Sequence, residues 1–336
     1  NSHRITNHAT QDSNNGSLCF NKSGNRLVVG FQEGNMASIY DYNSNDLTWT
    51  KIKEIINNVV TGFGRYVSCN AVGNIVGVSS MGNTNDEDDD GSAILYKENG
   101  NVWEIIGSYN YEATGTDRAT YMPIALNNIG DVVALGASTG RRDIDDDPNH
   151  GEGMVLRHYG GVGNVYPDYW HDGNLDLYNI ADETITSYST DRWAFSCATN
   201  TAGNIVAFGA QTLSEIVYIY KYNTLSSEWK IFGELTINDV PNGSTDDIFG
   251  MSLSFDGSGH ILAVGAPAGT TNDGDRRTDS VGHYVCIYQY NGNQWNLTQK
   301  IINNSYKNFG FSVSFSDDGK LLAIGTRGAK AVGQPG

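Results

Sequence analysis

The sequence predicts an all-β chain, a β-propeller of four-stranded antiparallel blades, and three observations predict it. A strand–turn–strand segment recurs six times, and each tight turn ends in Gly. In five of the six recurrences a second apolar hairpin follows. The composition suits such a chain, with 40 Gly, 19 Tyr and only 6 Pro in 336 residues. A length of this order fits two domains or one large repeat domain, and the repeat favours the second.

The first hairpins read SLCFNKSGNRLVVG, YVSCNAVGNIVGVS, PIALNNIGDVVALG, FSCATNTAGNIVAFG, MSLSFDGSGHILAVG and FSVSFSDDGKLLAIG. Their turn glycines are Gly24, Gly73, Gly130, Gly203, Gly259 and Gly319. Six residues beyond each comes a small residue: Gly30, Ser79, Gly136, Gly209, Gly265 or Gly325. A tight hairpin needs a residue that tolerates positive φ, and Gly supplies it without steric cost. The strand after the turn is nearly all apolar, as in Ile261-Leu262-Ala263-Val264. Such a strand is covered on both faces, and the small residue at its end lets backbones approach.

The third strand of each blade reads ASIYDY, SAILYKE, MVLRHYG, IVYIYKY or YVCIYQY. The fourth carries a Trp: Trp49, Trp103, Trp229 or Trp295. Repeat three is longer, and Trp170 is a candidate equivalent there on a poor alignment. Two-residue periodicity excludes a helical solenoid. The repeats span about 14–62, 63–119, 120–192, 193–248, 249–308 and 309–336, within one propeller domain over 1–336. The sixth is incomplete, so a closed ring of six or seven blades needs a further segment, from residues 1–13 or from a longer chain or assembly. A closed ring removes exposed strand edges.

Charge narrows the partners. With 21 basic and 38 acidic residues the net charge is −17. That argues against nucleic acid and anionic membranes, and suits cations or basic partners. No stretch is apolar enough to span a membrane as a helix.

The repeats resemble the FG-GAP family, found in integrin α-chain heads and in bacterial and algal proteins. Ten and nine residues before the turn Gly lie Phe63-Gly64, Phe249-Gly250 and Phe309-Gly310. Repeat four has Trp193-Ala194 there and repeat three Thr120-Tyr121. Repeat five ends its second strand with Gly265-Ala266-Pro267, a complete GAP. The resemblance covers residues 16 to 330. It implies a propeller platform without fixing its ligand. The calcium loop of integrin repeats lies between strands one and two, where this chain has only a short turn, so those metal positions do not carry over.

Antiparallel order places the two–three loops and the four–one connections at one end of the blades. Three two–three loops are acidic. They hold Asp86, Glu87, Asp88, Asp89 and Asp90; then Asp143, Asp145, Asp146 and Asp147; then Asp273, Asp275 and Asp279. With their arginines and Glu152 they contribute −5, −3 and −1, so −9 of the −17. Carboxylates at alternate positions suit a hard cation, and Asp86, Asp88, Asp90 and Gly91 form a DxDxDG. The candidate metal ligands are thus Asp86, Asp88, Asp90, Asp143, Asp145, Asp147, Asp273, Asp275 and Asp279, with calcium as the cation. The competing reading is a solvated acidic loop. No organic cofactor is expected.

Three Thr-Asp pairs precede first strands: Thr116-Asp117, Thr190-Asp191 and Thr245-Asp246. They read as a ring of charge or, better, as Asp residues that close the turn before strand one. Tyr166, Tyr169, Trp170 and His171 form the most aromatic irregular segment, a candidate contact for a partner or glycan set against a packing role. Cys19, Cys69, Cys197 and Cys286 lie in strands without metal-ligand spacing and read as buried thiols. Two of them could bridge only if neighbouring strands bring them together. The sequons at Asn15, Asn21, Asn242, Asn296 and Asn303 are glycosylation candidates. With no initiator Met or signal peptide at its start, the chain reads as processed or excerpted.

No nucleophile elbow, HExxH or phosphate loop is present, so no enzyme is expected. The function expected is a non-catalytic interaction module outside the cytoplasm, on a cell surface, in an extracellular assembly or on a virion-like particle. It would present acidic loops to a protein partner. A carbohydrate-binding propeller is the alternative, and a hydrolase or lyase the third.

Overall fold

The computed structural model describes residues 16–59, 61–80, 91–110, 119–139, 152–157, 178–179, 192–211, 215–226, 228–244, 247–267, 283–303 and 308–326. The chain divides into two compact units. One holds 1–143 and 154–179, the other 144–153 and 180–336.

The first unit holds three antiparallel sheets. Repeat one gives β1 (Leu18–Phe20), β2 (Arg26–Phe31), β3 (Met36–Asn43) and β4 (Thr48–Ile56), hydrogen-bonded in that order. Repeat two gives β5 (Tyr66–Cys69), β6 (Ile75–Ser79), β7 (Ser92–Asn99) and β8 (Val102–Asn110), again in chain order. Repeat three adds β9 (Ala119–Tyr121), β10 (Ile124–Leu126), β11 (Val132–Thr139), β12 (Glu152–Arg157) and β13 (Tyr178–Asn179), with β9 pairing β11 beyond β10. The strand beside β12 is Tyr178–Asn179, which pairs with Val155 and Met154, and Trp170 lies outside the described residues.

The second unit repeats the scheme. Repeat four gives β14 (Arg192–Thr199), β15 (Ile205–Gln211), β16 (Ile216–Asn223) and β17 (Glu228–Thr236). Repeat five gives β18 (Ser252–Phe255), β19 (Ile261–Ala266), β20 (Tyr284–Tyr290) and β21 (Trp295–Ile302). Repeat six shows only β22 (Ser312–Phe315) and β23 (Leu322–Gly325) among the described residues. The apolar second strands are buried as expected, with Leu262, Ala263, Val264 and Ala266 of β19 fully covered. Facing sheets of repeats four and five share one core that includes Ile219, Leu235, Phe249, Leu262, Val264 and Tyr284.

All six turn glycines take positive φ, from 67° to 85°. The residue three positions earlier completes each turn. Asn200 Oδ1 accepts from the backbone N–H groups of Asn204 and Ile205, and Asp256 Oδ1 from those of His260 and Ile261. Asn21, Asn70 and Asn127 do the same. The Asn side-chain N–H groups also reach the next repeat. Asn21 Nδ2 donates to Val72 O at 3.1 Å, Asn70 Nδ2 to Ile129 O at 3.2 Å and Asn200 Nδ2 to Ser258 O at 3.4 Å. The backbone adds a turn-to-turn ladder. Lys22 N donates to Ala71 O and Ala71 N to Asn128 O in the first unit, and Thr201 N to Gly257 O and Gly257 N to Asp317 O in the second.

The small residue ending strand two does what its size predicts. A Cβ on Gly30 would lie 2.1 Å from Gly64 O, one on Gly209 2.2 Å from Gly250 O, and one on Gly265 2.1 Å from Gly310 O. Gly30, Gly209 and Gly265 therefore each meet the Gly of the Phe-Gly pair in the following repeat. Ser79 differs, and repeat three has no Phe-Gly for it to meet. Its hydroxyl donates instead to Met122 O at 2.5 Å.

Candidate functional site

At the ends where strand two joins strand three, a second repeated device appears. The residue just before strand three has positive φ: Asn35 at 46°, Glu215 at 41° and His283 at 88°. Its side chain reaches the lead-in turn of the next repeat. Asn35 Oδ1 accepts from Gly62 N, Glu215 Oε1 and Oε2 from Ile248 N and Phe249 N, and His283 Nδ1 from Asn308 N. The capped residues Gly62, Ile248 and Asn308 all immediately precede a Phe, and all have positive φ themselves. The geometry is constant while the capping group changes from amide to carboxylate to imidazole.

The carboxylate version is the most unusual. Ile248 holds φ at 53°, a conformation that costs a β-branched residue dearly. Two N–H bonds to Glu215, at 2.9 and 3.0 Å, hold the turn there. Glu215 is only 3% exposed. Burial pushes its carboxyl up to about 7, the two backbone N–H groups oppose that shift, and the nearby Asp247 adds to it.

Asp247 is completely buried. Its Oδ2 accepts from Ser244 N and from the Tyr284 hydroxyl, both at 2.9 Å. Its Oδ1 is buried and meets no donor among the described residues. The Tyr284 hydroxyl is pushed far above the ordinary tyrosine range, first by burial and then by Asp247. Lys300 Nζ sits 3.7 Å from the Tyr284 ring centroid and donates to Pro241 O. Glu215 therefore exchanges a proton near neutrality beside a second carboxylate with acceptor capacity to spare. Such a pair can serve as an acid and base, or receive a cationic group.

Asp247, which follows the Thr245-Asp246 pair, closes its turn, since Asp247 N donates to Ser244 O while Oδ2 takes Ser244 N. The pairs themselves, Thr116-Asp117, Thr190-Asp191 and Thr245-Asp246, lie outside the described residues. The metal candidates Asp86, Asp88, Asp90, Asp143, Asp145, Asp147, Asp273, Asp275 and Asp279 lie outside the described residues. So do Tyr166, Tyr169, Trp170, His171 and Asn15. Among the described residues no cluster of three His, Cys, Asp or Glu could hold a metal ion. The four remaining sequons divide. Asn242 is exposed and Asn296 and Asn303 half-buried. Asn21 is buried and its amide is spent on the turn, so it belongs to the scaffold. Trp103 and Trp295 pack between repeats as expected, whereas Trp49 and Trp229 meet Tyr42 and Tyr222 of their own repeats. Trp295 of repeat five lies edge-on to Phe232 of repeat four, and Arg26 of repeat one sits over Trp103 of repeat two.

Glu215 escaped sequence reading because the loop before it varies in length. The available signal was its fixed place directly before the third strand, shared with Asn35 and His283.

No family model matches the chain, and no curated protein matches it. Solved structures do. The periplasmic gluconolactonase of Pseudomonas aeruginosa aligns with a TM-score of 0.56 at 13% identity, over 92% of this chain and 76% of that one. Sqt1 of Saccharomyces cerevisiae aligns with 0.54 at 13% identity, over 92% and 68%. A chain of a mitotic checkpoint complex aligns with 0.54 at 12% identity, over 92% and 72%. The structural neighbours are β-propellers, and the repeated four-stranded antiparallel sheets place this chain in that fold class. None of the matches names the FG-GAP family.

The expectation of no enzyme is overturned by the gluconolactonase, an enzyme on this fold. Missing linear motifs do not exclude catalysis here. A propeller brings together groups far apart in sequence, as it does Glu215, Asp247 and Tyr284.

Proposed function

We propose that this chain is a β-propeller recognition module that engages a positively charged protein partner through its strand two–three connections. The carrying observation is where the acidic residues fall. Three of these connections, with Glu152 at the start of β12, hold −9 of the −17 net charge. Each leaves its own sheet at the end where strand two stops. The described residues at that end add the Glu215–Asp247 pair, whose free buried oxygen suits a cationic group. Propeller neighbours found in complexes support protein binding as a use of the fold. An FG-GAP-like repeat and a place outside the cytoplasm accord with this reading, as does calcium bound by Asp86, Asp88 and Asp90.

The test is binding of a lysine-rich peptide to the purified chain across a salt series. Affinity should fall steeply with salt and drop at least several-fold in the triple variant Asp86→Asn, Asp88→Asn, Asp90→Asn. Salt-independent binding, or a variant that binds as well as the parent, would sink the proposal. Turnover of a lactone, lost in Glu215→Gln, would replace it with a catalytic one. A chelator should lower the melting temperature if calcium is bound.

A further inference from the structure

The Cys19 and Cys69 sulfurs lie 3.1 Å apart. They sit on β1 and β5, the first strands of successive repeats in one compact unit. The register between these strands is fixed twice, by Val67 N donating to Ser17 Oγ at 2.6 Å and by Cys69 N donating to Cys19 Sγ at 3.2 Å.

The scaffold does not need either sulfur. At the corresponding place in two other seams the acceptor is a serine. Leu126 N donates to Ser68 Oγ and Phe315 N to Ser254 Oγ. The donor residue there is Leu or Phe. Cys19 thus stands where a hydroxyl suffices, and Cys69 where an apolar side chain suffices. Both replacements fall in the same seam and face each other.

We propose that Cys19 and Cys69 are a reversible disulfide site that staples the first strand of repeat one to that of repeat two. A disulfide is about 2.05 Å long, so the sulfurs need to close by roughly 1 Å. Cys19 is the attacking thiol. It is half-buried on a strand whose flanking Leu18 and Phe20 are exposed, whereas Cys69 is 8% exposed. Donation from the Cys69 side chain and backbone lowers the Cys19 thiol below its ordinary value, while the Cys69 thiol is raised.

The chemistry balances with a disulfide oxidant such as oxidised glutathione. Cys19 thiolate attacks one glutathione sulfur, forms a mixed disulfide and releases one glutathione thiolate. Cys69 thiolate then attacks Cys19 Sγ and releases the second. The two cysteines give up two electrons to the glutathione disulfide, and their two protons pass to the released thiolates. Cys197 and Cys286 are internal controls, because burial pushes the Cys286 thiol to about 12 and the Cys197 thiol higher still.

The full chain is incubated with reduced and oxidised glutathione, quenched in acid, alkylated and mapped by mass spectrometry. The expected result is an intact mass lower by two hydrogens and one peptide pair joining Cys19 to Cys69, both reversed by dithiothreitol. The oxidised chain should melt higher by on the order of 5 °C. Cys19→Ser should abolish the cross-link, and Cys69→Ser should trap a glutathione adduct on Cys19. Alkylation of both cysteines in the oxidised parent, a lasting adduct on its Cys19, or a link between two chains would each overturn the proposal. The mapping of the parent decides the matter even if a variant folds poorly.

Discussion

The two ends of the blades use the same kind of device to opposite effect. At the turn end, Asn21, Asn70, Asn127, Asn200 and Asp256 close their turns with a side-chain oxygen. Where the residue is Asn21, Asn70 or Asn200, the amide nitrogen also reaches the next repeat. The geometry is held constant and the closing group is an amide in four of the six turns, with the Asp256 carboxylate and the Ser316 hydroxyl in the other two. At the connection end the geometry is held by positive φ at Asn35, Glu215 and His283, but the group presented differs each time. A site that keeps its frame and varies its chemistry is free to specialise, and the Glu215 seam has gone furthest. It combines a strained Ile248, a carboxyl that titrates near neutrality and a buried Asp247 with one oxygen unmatched.

The comparison breaks most visibly under pH. Folded Glu215 titrates at about 7, against an ordinary 4.5. Between those values the folded chain holds more protons than the unfolded one, so stability falls as pH rises from about 4.5 to about 7. The contribution is complete below the lower value and lost above the higher one. Its ceiling is about 3 kcal/mol. Denaturant titrations at several pH values should show this slope in the parent and a flatter one in Glu215→Gln. Gln sets a non-accepting NH2 against one of the two N–H groups, so the variant should also be weaker overall, and only the slope is diagnostic. An unchanged slope would return Glu215 to the scaffold.

The turn end was legible in the sequence because its signals sit at fixed offsets. Positive φ at Gly24, Gly73, Gly130, Gly203, Gly259 and Gly319 follows from six equivalent turns. The connection end was only partly legible. Asn35, Glu215 and His283 lie 5, 6 and 18 residues beyond Gly30, Gly209 and Gly265, so no offset from the turn reveals them. Their partners are harder still to see, because Glu215 meets Phe249 across 34 residues and Asp247 meets Tyr284 across 37.

A smaller effect sharpens the turn end. Asn200→Ala removes two acceptor bonds to backbone N–H groups and a 3.4 Å donation to Ser258 O. Loss of a cap with buried donors left unpaired should cost about 2 kcal/mol. Asn200→Asp keeps the oxygen and should recover most of that, as Asp256 does in repeat five. If Asp proves as costly as Ala, the donation to the next repeat outweighs the turn itself, and the turn end is a seam device rather than a local cap.

The smallest test falls on the seam that departs from the glycine rule. Ser79 stands where Gly30, Gly209 and Gly265 stand, and its hydroxyl donates to Met122 O. Ser79→Ala keeps the Cβ and deletes the bond, leaving a buried carbonyl short of a donor, so it should cost about 1 kcal/mol. Ser79→Gly also loses the bond, and adds the entropy of a Gly in the unfolded chain, a further cost of about 0.5 kcal/mol. Thermal melts of the two variants should therefore rank parent, Ala, Gly in falling order. The reverse order of Ala and Gly would mean that this seam, like the others, accommodates backbone contact better than a side chain, and that the serine marks tolerance rather than a replacement for the missing Phe-Gly.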